Sequence, residues 1–157
     1  MKRIASIQDV SCLGRCSQTV ALPVVSAMGV ECAILPTAVL STHTSFPDFR
    51  CLDLTDQLLP VARHWKAQGV RFDALYTGYL ASDRQVAVVL ELLELLREEG
   101  TLLFVDPAMA DHGKLYAGFG PEFPALMAQV VSKAQITVPN ITEASLMTGL
   151  PYREDYD

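Results

Sequence analysis

The chain has 157 residues, half of them apolar and 19% charged, which suits one domain with a real core and excludes a disordered polar chain. Its 18 Asp and Glu against 12 Lys and Arg leave a formal net charge of −6, so a fold-wide basic footprint for nucleic acid or anionic lipid is absent. No apolar run approaches the roughly 18 residues of a membrane span, and residues 1–6 lack a signal-peptide core, so the cytoplasm is the expected compartment.

In chain order, residues 3–10 read as a strand and 19–28 as a helix that accommodates Pro23 and stops at Gly29. Residues 30–40 are β-rich, with Pro36 marking an edge, a bend or a break. The polar stretch 41–51 has no periodicity and reads as a loop. A helix over 56–68 closed by Gly69 and a short buried strand over 72–77 follow. The clearest helix is 83–99, with Val86, Val89, Leu90, Leu93 and Leu96 as its apolar stripe. Ser82 and Gln85 have the spacing of a capping box, and Gly100 supplies the stop. A strand over 101–105, a helix over 121–133, a strand over 136–138 and a helix over 142–147 complete the pattern. Cys12, Cys16, Cys32 and Cys51 have no zinc-site spacing and read as buried or half-buried free thiols.

Strands separated by helices predict an α/β domain on a parallel sheet, whose ligands sit beyond the carboxyl ends of the strands. Dinucleotide and phosphate-loop glycine motifs are absent, as is a Gly-x-Ser-x-Gly elbow. Asp106 and Asp111 follow a buried strand, where they could hold Mg2+ through water opposite nucleotide phosphates, or Asp106 could cap the turn that Pro107 starts. Asn140 and Glu143 open a helix, and local pattern favours a plain cap over a phosphate or metal site. Residues 41–45, Ser-Thr-His-Thr-Ser, read as a solvated turn before they read as a ligand flap. Tyr79, after Gly78, is either a stacking wall or an ordinary rim aromatic.

Five segments together carry more than any one. Ile7-Gln8-Asp9-Val10-Ser11, Leu40-Ser41-Thr42-His43-Thr44, Thr77-Gly78-Tyr79-Leu80, Asp106-Pro107-x-Met109-x-Asp111-x-Gly113-x-Leu115-Tyr116 and Pro139-Asn140-x-Thr142-Glu143-Ala144 occur in this order. In that order they resemble the motifs of pyridoxal and pyridoxamine kinases of the ribokinase superfamily. The resemblance implies a ribokinase-like domain over 1–157, mainly a parallel sheet flanked by helices, and ATP-dependent phosphorylation of the 5′-hydroxymethyl group of a vitamin B6 vitamer. It implies that Asp9, Ser11, Thr44 and Tyr79 bind the vitamer. It puts Asp106, Asp111, Asn140 and Glu143 on the ATP and Mg2+ side, with Glu143 reaching the metal through water, and leaves room for a monovalent cation. It also implies a homodimer.

The chain departs from the family pattern in several places. Asp9 stands where many pyridoxal kinases have Ser, and a carboxylate there suits a cationic aminomethyl group. Ala110 stands for a frequent Gly, and the flap after Thr44 is short. No Gly-x-Gly-Asp occurs, so the general-base Asp is expected in a C-terminal half that this chain does not match, and no catalytic residue is assigned within it. The chain is thus expected to be the vitamer-binding, N-terminal half of a kinase. Two other readings are a hydroxymethylpyrimidine kinase of thiamine synthesis, and a non-catalytic vitamer-binding or self-associating module.

Overall fold

A computed structural model of the chain describes residues 1–153. The chain begins with β1 (Arg3–Ser11), α1 (Gln18–Ala27) and β2 (Glu31–Leu40), followed by β3 (Cys51–Asp53) and α2 (Thr55–Ala67). Next come β4 (Ala74–Thr77), α3 (Asp83–Leu96), β5 (Leu102–Val105) and the short strands β6 (Ala110–Asp111) and β7 (Lys114–Leu115). The described part closes with α4 (Phe123–Val131), β8 (Ile136–Thr137) and α5 (Ile141–Thr148). A six-stranded sheet runs in the order β3-β2-β1-β4-β5-β8, and every pairing is parallel except that of β3 with β2. This is the expected α/β architecture, a mainly parallel sheet flanked by helices.

The chain winds outward from β1 in both directions, to β2 on one side and to β4, β5 and β8 on the other. Right-handed crossovers in opposite directions put α1 on one face and α2 and α3 on the other. The register sets Ala5 beside Leu75 and Leu75 beside Leu103. These three join fully buried Leu58, Val89 and Leu92 of α2 and α3 in the core. On the α1 side the sheet is more polar: Gln18 Nε2 donates to the Ser6 carbonyl at 2.6 Å, and Gln8 Nε2 donates to Ser6 Oγ at 2.7 Å.

Several expectations need correction. The predicted loop runs into an unexpected edge strand at its last residue: β3 pairs antiparallel with β2, Cys51 lying opposite Leu40. A hairpin, β6–β7, lies in the segment after Asp106, where no element is expected from sequence, turning on His112 (φ 50°) and Gly113 (φ 75°). Left-handed φ at both central residues is what a two-residue hairpin turn demands, and a Gly in second place is its usual mark. The third helix ends at Leu96 rather than Glu99. Its Ser82 cap forms, but the reciprocal bond is displaced, because Gln85 Oε1 accepts the Ala81 N–H at 2.8 Å. The Gln85 amide also donates to Thr37 O and Thr55 Oγ1, so this buried side chain ties α3 to β2 and α2. All four cysteines are free thiols, but Cys12 and Cys51 are exposed rather than buried. Pro36 marks an irregularity: the β1–β2 register passes from Gln8↔Pro36 to Val10↔Val39, one residue more on β2. Among the described residues no helix is long and apolar enough to cross a membrane.

Candidate functional site

The connections from β1 and β4 leave in opposite directions, and the crevice beyond the carboxyl ends of these neighbouring strands is where an open α/β sheet accepts a ligand. A cavity of about 880 Å3 occupies this place. Asp9, Ser11, Thr44, Tyr79, Asp106 and Asp111 all line it. Asn140 and Glu143 do not line it.

The β1 contribution follows from strand periodicity. Asp9 and Ser11 are two residues apart and therefore share a side, and Ser11 Oγ donates to Asp9 Oδ2 at 3.1 Å. Both are buried, Asp9 at 3% exposure. Gly78 continues the β4 side, its N–H donating to the Ile7 carbonyl at 3.2 Å. A Cβ at Gly78 would stand 2.7 Å from Gln8 Oε1, so the strand can pass Gln8 this closely only without a side chain.

Tyr79 forms a wall. Its ring lies 5.6 Å from that of Phe119 at 37°, and Phe119 stacks on buried Phe123 at 3.9 Å. Burial pushes the Tyr79 phenol up to about 12, helped by the negative charge of Asp9. Thr44 sits in the loop between β2 and β3, where the His43 ring meets Phe46 edge to face at 4.7 Å. A Cβ at Gly14, in the loop after β1, would come within 3.0 Å of the His43 ring. The flap and the β1 loop therefore close over the same mouth.

On the β5 side, the Asp106 N–H donates to the Thr77 carbonyl at 3.0 Å, and burial raises the Asp106 carboxyl above its ordinary value. Asp111 lies on the β6–β7 hairpin. That hairpin is pinned to the start of α5: Gly113 N–H donates to Thr142 Oγ1 at 3.0 Å, and Asn140 Nδ2 donates to the Ala110 carbonyl at 2.8 Å. Glu143 Oε1 accepts the Met109 N–H at 3.1 Å, and its Oε2 accepts the Asn140 N–H at 2.9 Å. Asn140 Oδ1 accepts the Glu143 N–H in return, which completes a capping box. Burial raises the Glu143 carboxyl even against these backbone hydrogen bonds. Asn140 and Glu143 thus hold the hairpin that carries Asp111.

Gln8, Tyr76 and Tyr116 also line the cavity and were not singled out from sequence. Alternation along β1 turns Gln8 away from its neighbour Asp9, and nothing local shows that Gly78 leaves room for it. Among the described residues no three His, Cys, Asp or Glu side chains converge as a metal site.

No family model matches the chain. The pyridoxal kinase of Arabidopsis thaliana is 30% identical over 161 residues, covering 99% of this chain and 51% of the relative. A Bacteroides thetaiotaomicron protein, provisionally named a phosphomethylpyrimidine kinase and seen in a crystal form with pyridoxal, is 42% identical with a TM-score of 0.94. That match covers 99% of this chain and 55% of the other. The crystal structure of pyridoxal kinase from Lactobacillus plantarum is 37% identical with a TM-score of 0.90, covering 100% of this chain and 56% of its own. The chain spans about half the length of the curated relatives it matches. In the order of its motifs, its sheet and its cavity, the chain is similar over nearly its whole length to an N-terminal portion of the pyridoxal kinases.

Proposed function

We propose that this chain supplies the vitamer-binding side of a kinase that phosphorylates the 5′-hydroxymethyl group of a B6 vitamer with ATP, acting in the cytoplasm as a homodimer. The observation that carries the reading is the cavity at the switch point, with a flat aromatic wall at Tyr79, a polar pair at Asp9 and Ser11, and carboxylates on the β5 side at Asp106 and Asp111. The binding of pyridoxal by the Bacteroides relative supports it.

In this reading Tyr79, backed by Phe119, takes one face of the pyridine ring, and Asp9 and Ser11 bond to its polar edge. Thr44 covers the ring and helps exclude water. Glu143 reaches Mg2+ through water in this reading: each of its carboxylate oxygens accepts one backbone N–H and keeps a lone pair for such a water. What fits is a metal that arrives with the nucleotide and meets Asp106 and Asp111 through water, where it would offset phosphate charge. The protein's share is then positioning and electrostatics, with Asn140 and Glu143 acting by fixing the hairpin. A monovalent cation beside the nucleotide belongs to the same proposal.

The test is calorimetric titration of the chain with pyridoxal, pyridoxamine and pyridoxine, followed by ADP release with Mg-ATP and each vitamer. Binding is expected. Turnover would place a general base within these residues and correct the assignment of none. Absence of binding to every vitamer would overturn the reading. The name of the Bacteroides relative favours one second reading, a hydroxymethylpyrimidine kinase, and hydroxymethylpyrimidine in the same titration decides between them.

A further inference from the structure

Three carboxylates, Asp9, Asp106 and Asp111, line the cavity, and Arg15 is the one permanently charged cation among the described residues that line it with them. His43 and His112 also line it but carry charge only when protonated. No ion pair among the described residues includes Asp9, Asp106 or Arg15. The first turn of α1 holds no acidic residue that would neutralise the guanidinium. The residues on either side of Arg15 are held in place: the Thr19 hydroxyl of α1 bonds to the carbonyls of Gly14 and Cys16, at 3.3 and 2.7 Å, and accepts the Cys16 N–H at 3.3 Å. The loop thus presents an unpaired guanidinium, exposed at the mouth, to a cavity that otherwise carries acids.

That arrangement suits an anion with several acceptor oxygens. Resting on the vitamer reading and deepening it, we propose that Arg15 is the phosphate receptor of the cavity, taking the 5′-phosphate of the phosphorylated vitamer and so setting how long the product stays. While the nucleotide is bound, its metal offsets phosphate charge. After transfer that charge belongs to the vitamer and faces three carboxylates, and the nucleotide takes its metal away as it leaves. Arg15 then supplies the remaining counter-charge, in a planar fork whose parallel N–H bonds match two phosphate oxygens. The cavity, at about 880 Å3, lies near the upper end of ligand pockets and leaves room beyond one pyridine ring.

The test compares pyridoxine with pyridoxine 5′-phosphate, a pair that differs only in the phosphate and has no aldehyde to react with lysines. Calorimetry titrates each into the wild-type chain, Arg15→Ala and Arg15→Lys, at low and at high salt. Arg15→Ala is expected to lower the affinity for the ester relative to that for pyridoxine by about tenfold, the size of a lost bond to a charged group. Arg15→Lys should restore part of the ratio, since it keeps the charge without the fork. High salt should shrink the wild-type preference and leave that of Arg15→Ala as it is. Arg15→Gln serves as a second neutral variant should Ala impair folding, with circular dichroism as the check. Mg-ATP, titrated separately, separates the two sources of phosphate: a loss confined to the nucleotide overturns the product assignment. A folded neutral variant with the wild-type ratio also overturns it, and pyridoxine binding by the wild-type chain then leaves the vitamer reading standing. A wild-type chain that binds neither pyridoxine nor its phosphate overturns both.

Discussion

Asn140 and Glu143 grip each other's backbone: Asn140 Oδ1 accepts the Glu143 N–H at 2.9 Å, and Glu143 Oε2 accepts the Asn140 N–H at 2.9 Å. The remaining Glu143 oxygen accepts the Met109 N–H, so one buried carboxylate joins the start of α5 to the hairpin that bears Asp111. Glu143→Ala strands two N–H groups and is expected to cost about 2–4 kcal/mol. Asn140→Ala, the loss of a helix cap, is expected to cost about 1 kcal/mol. Urea unfolding of the two variants checks both the order and the size. Equal, negligible losses would show that the pair has no structural role.

At Gly78 the cavity floor depends on a missing side chain. Gly78→Ala drives a Cβ to 2.7 Å from Gln8 Oε1 and 3.2 Å from Gln8 Cβ, so Gln8 must swing away from its bond to Ser6. The expected cost is about 1–2 kcal/mol, with weaker vitamer binding. Gln8→Ala in the same chain should recover most of the stability. A double-mutant cycle measures the coupling, and additive losses would refute it.

The Tyr79 phenol is an acid whose folded value, about 12, lies above its ordinary 10. Its contribution to stability is therefore fully present below pH 10 and is lost as the pH rises through about 12. Ultraviolet titration should show a late tyrosinate that Tyr79→Phe removes. If Tyr79→Phe instead removes amplitude from the ordinary limb near 10, Tyr79 ionises with the ordinary tyrosines.

Asp106 has the same sign at acid pH. Burial raises its carboxyl above 3.8, so its contribution is complete below that value and falls as the pH rises through the raised one. Asp106→Asn, which stays neutral, is expected to gain thermal stability relative to wild type between acid and neutral pH. Parallel melting profiles for the two chains would contradict this.

Much of the fold was legible because it is locally periodic. The apolar stripe of α3 and the alternation in β1 name their own elements, and Gly29, Gly69 and Gly149 end helices with left-handed φ values of 76°, 69° and 73°. Strand–helix alternation then fixes a parallel sheet and, with it, the end at which polar residues meet. Of the six predicted residues that line the cavity, Asp9 and Ser11 end β1, Tyr79 and Asp106 follow β4 and β5, Asp111 lies in β6, and Thr44 sits in the flap. What sequence left open lies between elements distant in the chain. The β3 segment is a strand only because the edge of β2 offers it partners, and its three exposed residues carry no apolar pattern of their own.

The sequence by itself determined the order of the elements, the apolar faces and the carboxyl-end location of Asp9, Ser11, Tyr79 and Asp106, because side-chain period and strand direction are local properties. Only the tertiary structure decided that Asp9 is buried without a cation and that Gln8 fits against Gly78. It also decided that Asn140 and Glu143 brace the site rather than line it. Each of these depends on which backbone donor or empty space a distant segment brings within hydrogen-bond reach, and no local pattern encodes that.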